Sequence, residues 1–262
     1  MIPDRDVAWI AGGHQPDPQQ ATIYRTCLRR HRQGRVIGGL TGIAVGLIVI
    51  FRWDDDWTIT IGVAPMPSNI IMWWLCGVVI GNLLAESYHL SRTTSGVRRA
   101  GLDPRSASPL PKVVRTARIA AVLAIVVGIV GVAVWKDLSA LPGLVCAVVI
   151  VGFAETARRV ITDRPRPTTD PAITVDDRLR WFSASSLAWL ELAGTVLGLA
   201  IQIQFLSSHG SAHSGLFVVV ASCANIALLV ITIVAIFRSR MAPPRRWQPL
   251  TVSLTSPMGT PT

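Results

Sequence analysis

Six apolar stretches, at residues 36–51, 67–85, 119–135, 139–155, 184–205 and 216–237, alternate with polar segments along the chain. Each is 16 to 22 residues long, close to the roughly 20 that a helix rising 1.5 Å per residue needs to cross the hydrocarbon core of a bilayer. None shows the period-two alternation of a barrel strand. Backbone N–H and C=O groups find no water in that core, so segments of this kind close their hydrogen bonds within a helix. The pattern predicts an all-α fold, a polytopic integral membrane protein built as a six-helix transmembrane bundle over residues 36–237. Residues 1–35 precede it as an N-terminal segment and 238–262 follow it as a tail.

Charge orients this arrangement. Of the 25 Lys and Arg, 23 lie in 1–35, 87–118, 156–181 and 238–262, and the two intervening loops hold only Arg52 and Lys136. Six spans put those four segments on one side, which the positive-inside rule makes cytoplasmic, with both termini there. Arg residues outnumber Lys 23 to 2, and Ala and Val are abundant; this composition is associated with GC-rich coding and a bacterial plasma membrane. The formal charge of +10 raises a nucleic-acid partner, but the basic residues are juxtamembrane and form no separate basic domain. Anionic lipid headgroups are the expected partner instead. Arg25, Arg29 and Arg32 share one face of a short helix before the first span, and Lys112, Arg115 and Arg118 do much the same before the third. Each adds about 1 kcal/mol of attraction to an anionic leaflet, and anchoring of the topology is the simpler role for them.

The polar segments add little. A removable signal peptide is not expected, because some 35 polar residues precede the first apolar run and no small-residue cleavage site follows it. Residues 1–20 lack periodicity and 241–262 are rich in Pro, Ser and Thr, so disorder is expected at both ends. The cytoplasmic loops around Pro104, Pro109 and Pro111 and around Pro165, Pro167 and Pro171 remain as surfaces for partners. Cys27, Cys76, Cys146 and Cys223 show no paired spacing, which indicates neither a disulfide framework nor a zinc site. No cofactor is implied.

Small residues recur at four-residue spacing: Gly34, Gly38, Gly42 and Gly46 at the first span, Gly77, Gly81 and Ala85 in the second, Gly194 and Gly198 in the fifth. Such stripes let helix backbones approach closely in lipid. Packing within the chain is the expected use, ahead of a homo-oligomer face.

Glu191 is the ionisable residue that this arrangement sets deepest, about nine residues into the fifth helix and so about 13 Å from the cytoplasmic boundary. A charge at that depth costs roughly 2.5–3.5 kcal/mol, so Glu191 is expected to be neutral, paired or facing water. Thr195, Gly198 and Gln202 share its helix face, and Asn82 and Asn225 are the expected hydrogen-bond partners. Interhelical hydrogen bonding is one reading of this polar set; a proton or cation relay is the other. Glu86 and Glu155 end the second and fourth spans and are expected to meet nearby arginines. Glu86 and His89 are spaced like a helical metal pair, yet no further ligand recurs nearby.

Enzyme signatures are incomplete. Arg159 and, seven residues on, Arg166-Pro167 resemble the first block of the membrane phosphatidate phosphatases, but the later blocks of that family are missing. No Gly-x-Ser-x-Gly element or P-loop is present. Six spans with both termini inside resembles the permease subunits of ATP-binding-cassette transporters in architecture alone, since Glu86 and Glu155 lack the flanking residues of their coupling loops. The expectation is a non-enzymatic membrane component that works with a separate ATPase or another membrane subunit. The alternative is a self-contained small transporter using Glu191.

Overall fold

The computed structural model describes residues 2–53, 70–91, 98–99, 110–135, 141–163, 166–167, 170–209 and 215–240. Among these residues the chain forms seven helices: α1 Asp4–Ile10, α2 Pro18–Trp53, α3 Ile70–Ser91, α4 Pro111–Trp135, α5 Leu141–Asp163, α6 Asp170–His209 and α7 Gly215–Ser239. A two-residue antiparallel ladder, β1 Arg98–Arg99 and β2 Arg166–Pro167, joins the two basic loops, pairing Arg98 with Pro167 and Arg99 with Arg166.

Four helices are long and apolar enough to cross a bilayer, over Pro18–Arg52, Pro111–Val134, Val175–Gln204 and Val219–Ser239. The protein is therefore a helical membrane protein. α3 contributes a shorter apolar helix, Ile70–Ala85, and α5 carries Glu155, Arg158 and Arg159 in its last turns. The helices do not stop where the apolar runs stop. α2 and α6, of 36 and 40 residues, are about 54 and 60 Å long, against a hydrocarbon core of about 30 Å. Gln, Ala, Arg and Leu favour helix in water as well as in lipid, so hydropathy marks the bilayer and not the helix end.

Part of the 1–20 stretch expected to be disordered is helical, and local chemistry explains why. Asp4 and Asp6 stand in the first turn of α1, where the helix dipole favours acids. Gly12 and Gly13, at φ 86° and 98°, end it: Gly12 N–H donates to the Trp9 carbonyl at 3.1 Å and Gly13 N–H to that of Ala8 at 2.8 Å. This is a Schellman closure, which needs the left-handed conformation that glycine adopts without strain. Asp17 then caps α2, its Oδ2 accepting from Gln19 N–H at 3.3 Å, and Pro18 takes the first helical position, where its missing N–H is not needed. The expected C-terminal tail, from residue 241, lies outside the described residues.

α6 is the axis of the bundle. Leu187, Ala188, Leu190, Ala193, Leu197 and Ala200 have no exposed surface, as a helix enclosed on every side requires. α3, α4, α5 and α7 surround it, and α2 lies outside against α3. The glycine stripe sets that last contact. A Cβ on Gly38 would strike the Gly77 carbonyl, one on Gly42 that of Trp73, and one on Gly34 would lie 2.7 Å from the Ala85 Cβ. A Cβ on Gly194 would meet Ile150, and one on Gly198 would lie 3.2 Å from the Gly143 carbonyl. The outward faces of α2, α4, α5 and α7 expose Ile37, Leu40, Val122, Val134, Val145 and Val219, a band that water would not tolerate and acyl chains solvate.

A second core sits beyond these apolar faces. Val7 and Ile10 of α1, Ala21, Tyr24 and Cys27 of α2, and Val175, Leu179 and Phe182 of α6 pack together. His31 stands edge-on to Phe182 with ring centres 5.6 Å apart. Arg180 ties this layer to the end of α5, donating to the Ile161 carbonyl at 2.9 Å while pairing with Asp176 at 2.6 Å. The arginine-rich end of the bundle thus carries a folded helical layer of its own.

Candidate functional site

Ala157 and Arg158, both good helix formers, continue α5 past the apolar run that ends at 155, and this extension brings Arg158 against α6. One terminal nitrogen of Arg158, Nη2, forms an ion pair with Glu191 Oε2. The other, Nη1, lies 3.2 Å from Glu155 Oε2, which Arg118 of α4 approaches at 3.3 Å. Arg118, Glu155, Arg158 and Glu191 therefore form one chain of alternating charge across three helices. Side-chain exposure falls along it, 59%, 41%, 16% and 1%. The outer link is solvated and worth about 0–1 kcal/mol. The inner link is desolvated, and removing one partner from such a pair costs about 3–5 kcal/mol because a charge is left buried alone.

Contacts along α6 fix the level of this pair. Gly194 meets Ile150, Gly198 meets Ala147, Gln202 meets Gly128 and Gly143, and Ala193 and Ala200 meet Thr232 and Asn225. In that register Glu191 stands level with residues 117, 153 and 234 of the neighbouring helices, at the arginine-rich end of their apolar faces. Within 184–190, Leu187, Ala188 and Leu190 are enclosed by neighbouring helices, and Ser185 and Ser186 are buried beside them.

The rest of the expected polar set is dispersed. Thr195 donates to the Glu191 and Leu192 carbonyls of its own helix, at 2.9 and 3.2 Å. Asn225 donates to the Ala200 carbonyl at 2.9 Å, pinning α7 to α6, nine residues and thus about 13 Å along α6 from Glu191. Gln202 is fully buried and fills the notch left by Gly128 and Gly143. Asn82 is buried on α3, and its Nδ2 finds no hydrogen-bond partner among the described residues. Neither amide nitrogen therefore donates to Glu191. Thr232, absent from the polar set expected around Glu191, bridges to the Ala193 carbonyl at 3.4 Å.

Arg158 is the residue that the sequence does not single out. Its cue is the Glu155/Arg158 spacing of one helical turn, which matters once α5 is known to continue. Of the juxtamembrane arginines, Arg25 pairs with Asp4 at 2.6 Å, Arg29 and Arg32 line a groove between α1 and α2, and Arg115 and Arg118 line another beside α5; Lys112 is exposed in the first turn of α4. The side chains of Glu86 and His89 fall outside the described residues. Among the described residues, no group of three or more His, Cys, Asp or Glu is placed to hold a metal ion. Comparison of the chain with family models, curated proteins and solved structures gives no match.

Proposed function

We propose that this protein is a non-enzymatic plasma-membrane component of six spans, with both termini cytoplasmic, that acts by docking a partner at its arginine-rich end. Counting α3 and α5 as spans beside the four longer apolar helices gives six. The concentration of 23 of 25 basic residues in the N-terminal segment, two loops and the tail supports the orientation.

The observation that carries the reading is the helical layer around Tyr24, Cys27, Leu179 and Phe182. It is built from the same continuous helices, α2 and α6, that run on through the bundle. A partner bound to such a layer acts directly on the membrane helices. The partner proposed is a separate ATPase, another membrane subunit or a second copy of the chain. The closed Arg158–Glu191 pair also supports docking over transport by Glu191, since a relay carboxylate must exchange its proton or cation, and here the Arg158 guanidinium already occupies the carboxylate.

Affinity purification from native membranes in mild detergent, with mass spectrometry of whatever co-elutes in stoichiometric amount, tests the proposal. The wild type should bring down a partner, and Tyr24→Ala/Phe182→Ala should lose it while still reaching the membrane. Coupled uptake by the purified protein alone in liposomes, abolished by Glu191→Gln, would overturn it in favour of the self-contained transporter.

A further inference from the structure

We infer that the groove between α4 and α5 is a binding site for an anionic glycerophospholipid, with its phosphate held by Arg115 and Arg118 and an acyl chain laid along Ile119, Val122 and Leu123. The inference rests on the membrane reading of the chain and not on a protein partner.

The groove measures about 570 Å³, and its lining changes character along α4. Arg115 and Arg118 stand at one end, with Arg158 of α5 across from them, and Ile119, Val122 and Leu123 form the wall beyond. Positions 115, 118/119 and 122 follow the helical repeat that puts them on one face. The register of α4 on α6 sets Arg118 level with the Arg158–Glu191 pair, at the end of the apolar faces. From there Leu123 lies five residues farther in, about 7.5 Å along the helix. Cationic donors at headgroup depth, continued by an apolar wall at acyl depth, match the amphiphilic order of a phospholipid.

Charge gives the same answer. Glu155 and Glu191 offset two of the three guanidiniums around the groove, and Arg115 is matched to no acid among the described residues. The groove keeps a net positive charge. A guanidinium presents paired N–H donors that fit phosphate oxygens bidentately. Ile119, Val122 and Leu123 are 50–58% exposed, a surface that a free phosphate ion would leave uncovered and an acyl chain would cover. Arg29 and Arg32, in the groove that Arg25 and Asp4 also line beside α1, are basic residues of another groove and serve as the comparison.

Native mass spectrometry of the full chain in mild detergent, with added phosphatidylglycerol or phosphatidylcholine, reads the site. The wild type should retain phosphatidylglycerol in preference to phosphatidylcholine. At about fivefold per arginine near the headgroup plane, Arg115→Gln/Arg118→Gln should lower phosphatidylglycerol retention about 25-fold, while Arg29→Gln/Arg32→Gln leaves the tightest-bound lipid in place. Leu123→Trp, which fills the apolar wall and keeps every charge, should lower lipid retention too. Inorganic phosphate at equal concentration should not displace the lipid. Equal retention of both lipids, no loss in the Arg115/Arg118 variant, an equal loss in the Arg29/Arg32 variant, insensitivity to Leu123→Trp, or displacement by inorganic phosphate would each overturn the inference.

Discussion

Arg158 of α5 reaches across to Glu191 of α6 and neutralises a carboxylate that has 1% of its surface exposed. Two helices that each leave the apolar faces at the same end are thereby locked in register by one pair of charges. The energetic consequence is specific: either charge alone is far more costly than both or neither.

Glu191→Leu and Arg158→Leu should each destabilise the protein by about 3–5 kcal/mol. The double variant should recover most of that loss, because an apolar pair of similar size often replaces a buried ion pair without cost. Thermal unfolding in mild detergent, read as a double-mutant cycle, checks this. By contrast Arg118→Gln, which touches only the solvated link to Glu155, should cost about 0–1 kcal/mol.

The α2–α3 contact predicts a contrast between glycines. Gly38→Ala places a methyl group against the Gly77 carbonyl and the Gly81 Cα, atoms of backbone that cannot step aside, so about 1–3 kcal/mol of stability should be lost. A Cβ added at Gly152 of α5 would meet nothing within 4 Å. Gly152→Ala should therefore be neutral or stabilise by up to about 1 kcal/mol through helix propensity. The same detergent unfolding assay separates the two outcomes.

How much of this was legible in the sequence differs from element to element. The apolar runs locate α2 to α7 because lipid and hydrophobic core both demand apolar side chains. For the same reason they do not distinguish Leu187, which is enclosed, from Ile231, which is 44% exposed, and the central place of α6 stays hidden. α1 escapes a periodicity search because seven residues make only two turns; its marker is Gly12-Gly13, which closes it. Glu191 stands out by its charge among apolar neighbours, but Arg158 sits in a segment that reads as loop until α5 is seen to run on to Asp163.

Packing of α3 on α5 brings Cys76 and Cys146 to a sulfur–sulfur separation of 3.8 Å. Mild oxidation with copper phenanthroline should join them. After proteolysis between α3 and α5, the two fragments should stay together on a non-reducing gel and separate on reduction. Cys76→Ser or Cys146→Ser should abolish the link, and Cys27→Ser or Cys223→Ser should not.

The protonation state of Glu191 decides most directly between a structural pair and a relay. Infrared difference spectra between the wild type and Glu191→Gln, measured in detergent or liposomes across a range of pH, report it. A carboxylate band that persists unchanged over that range, and that gives way to a carboxylic-acid carbonyl band once Arg158→Leu is introduced, is the predicted result. A protonated Glu191 carbonyl in the wild type that titrates with pH would contradict the pairing, and with it the case for a protein that works by docking and not by carrying protons.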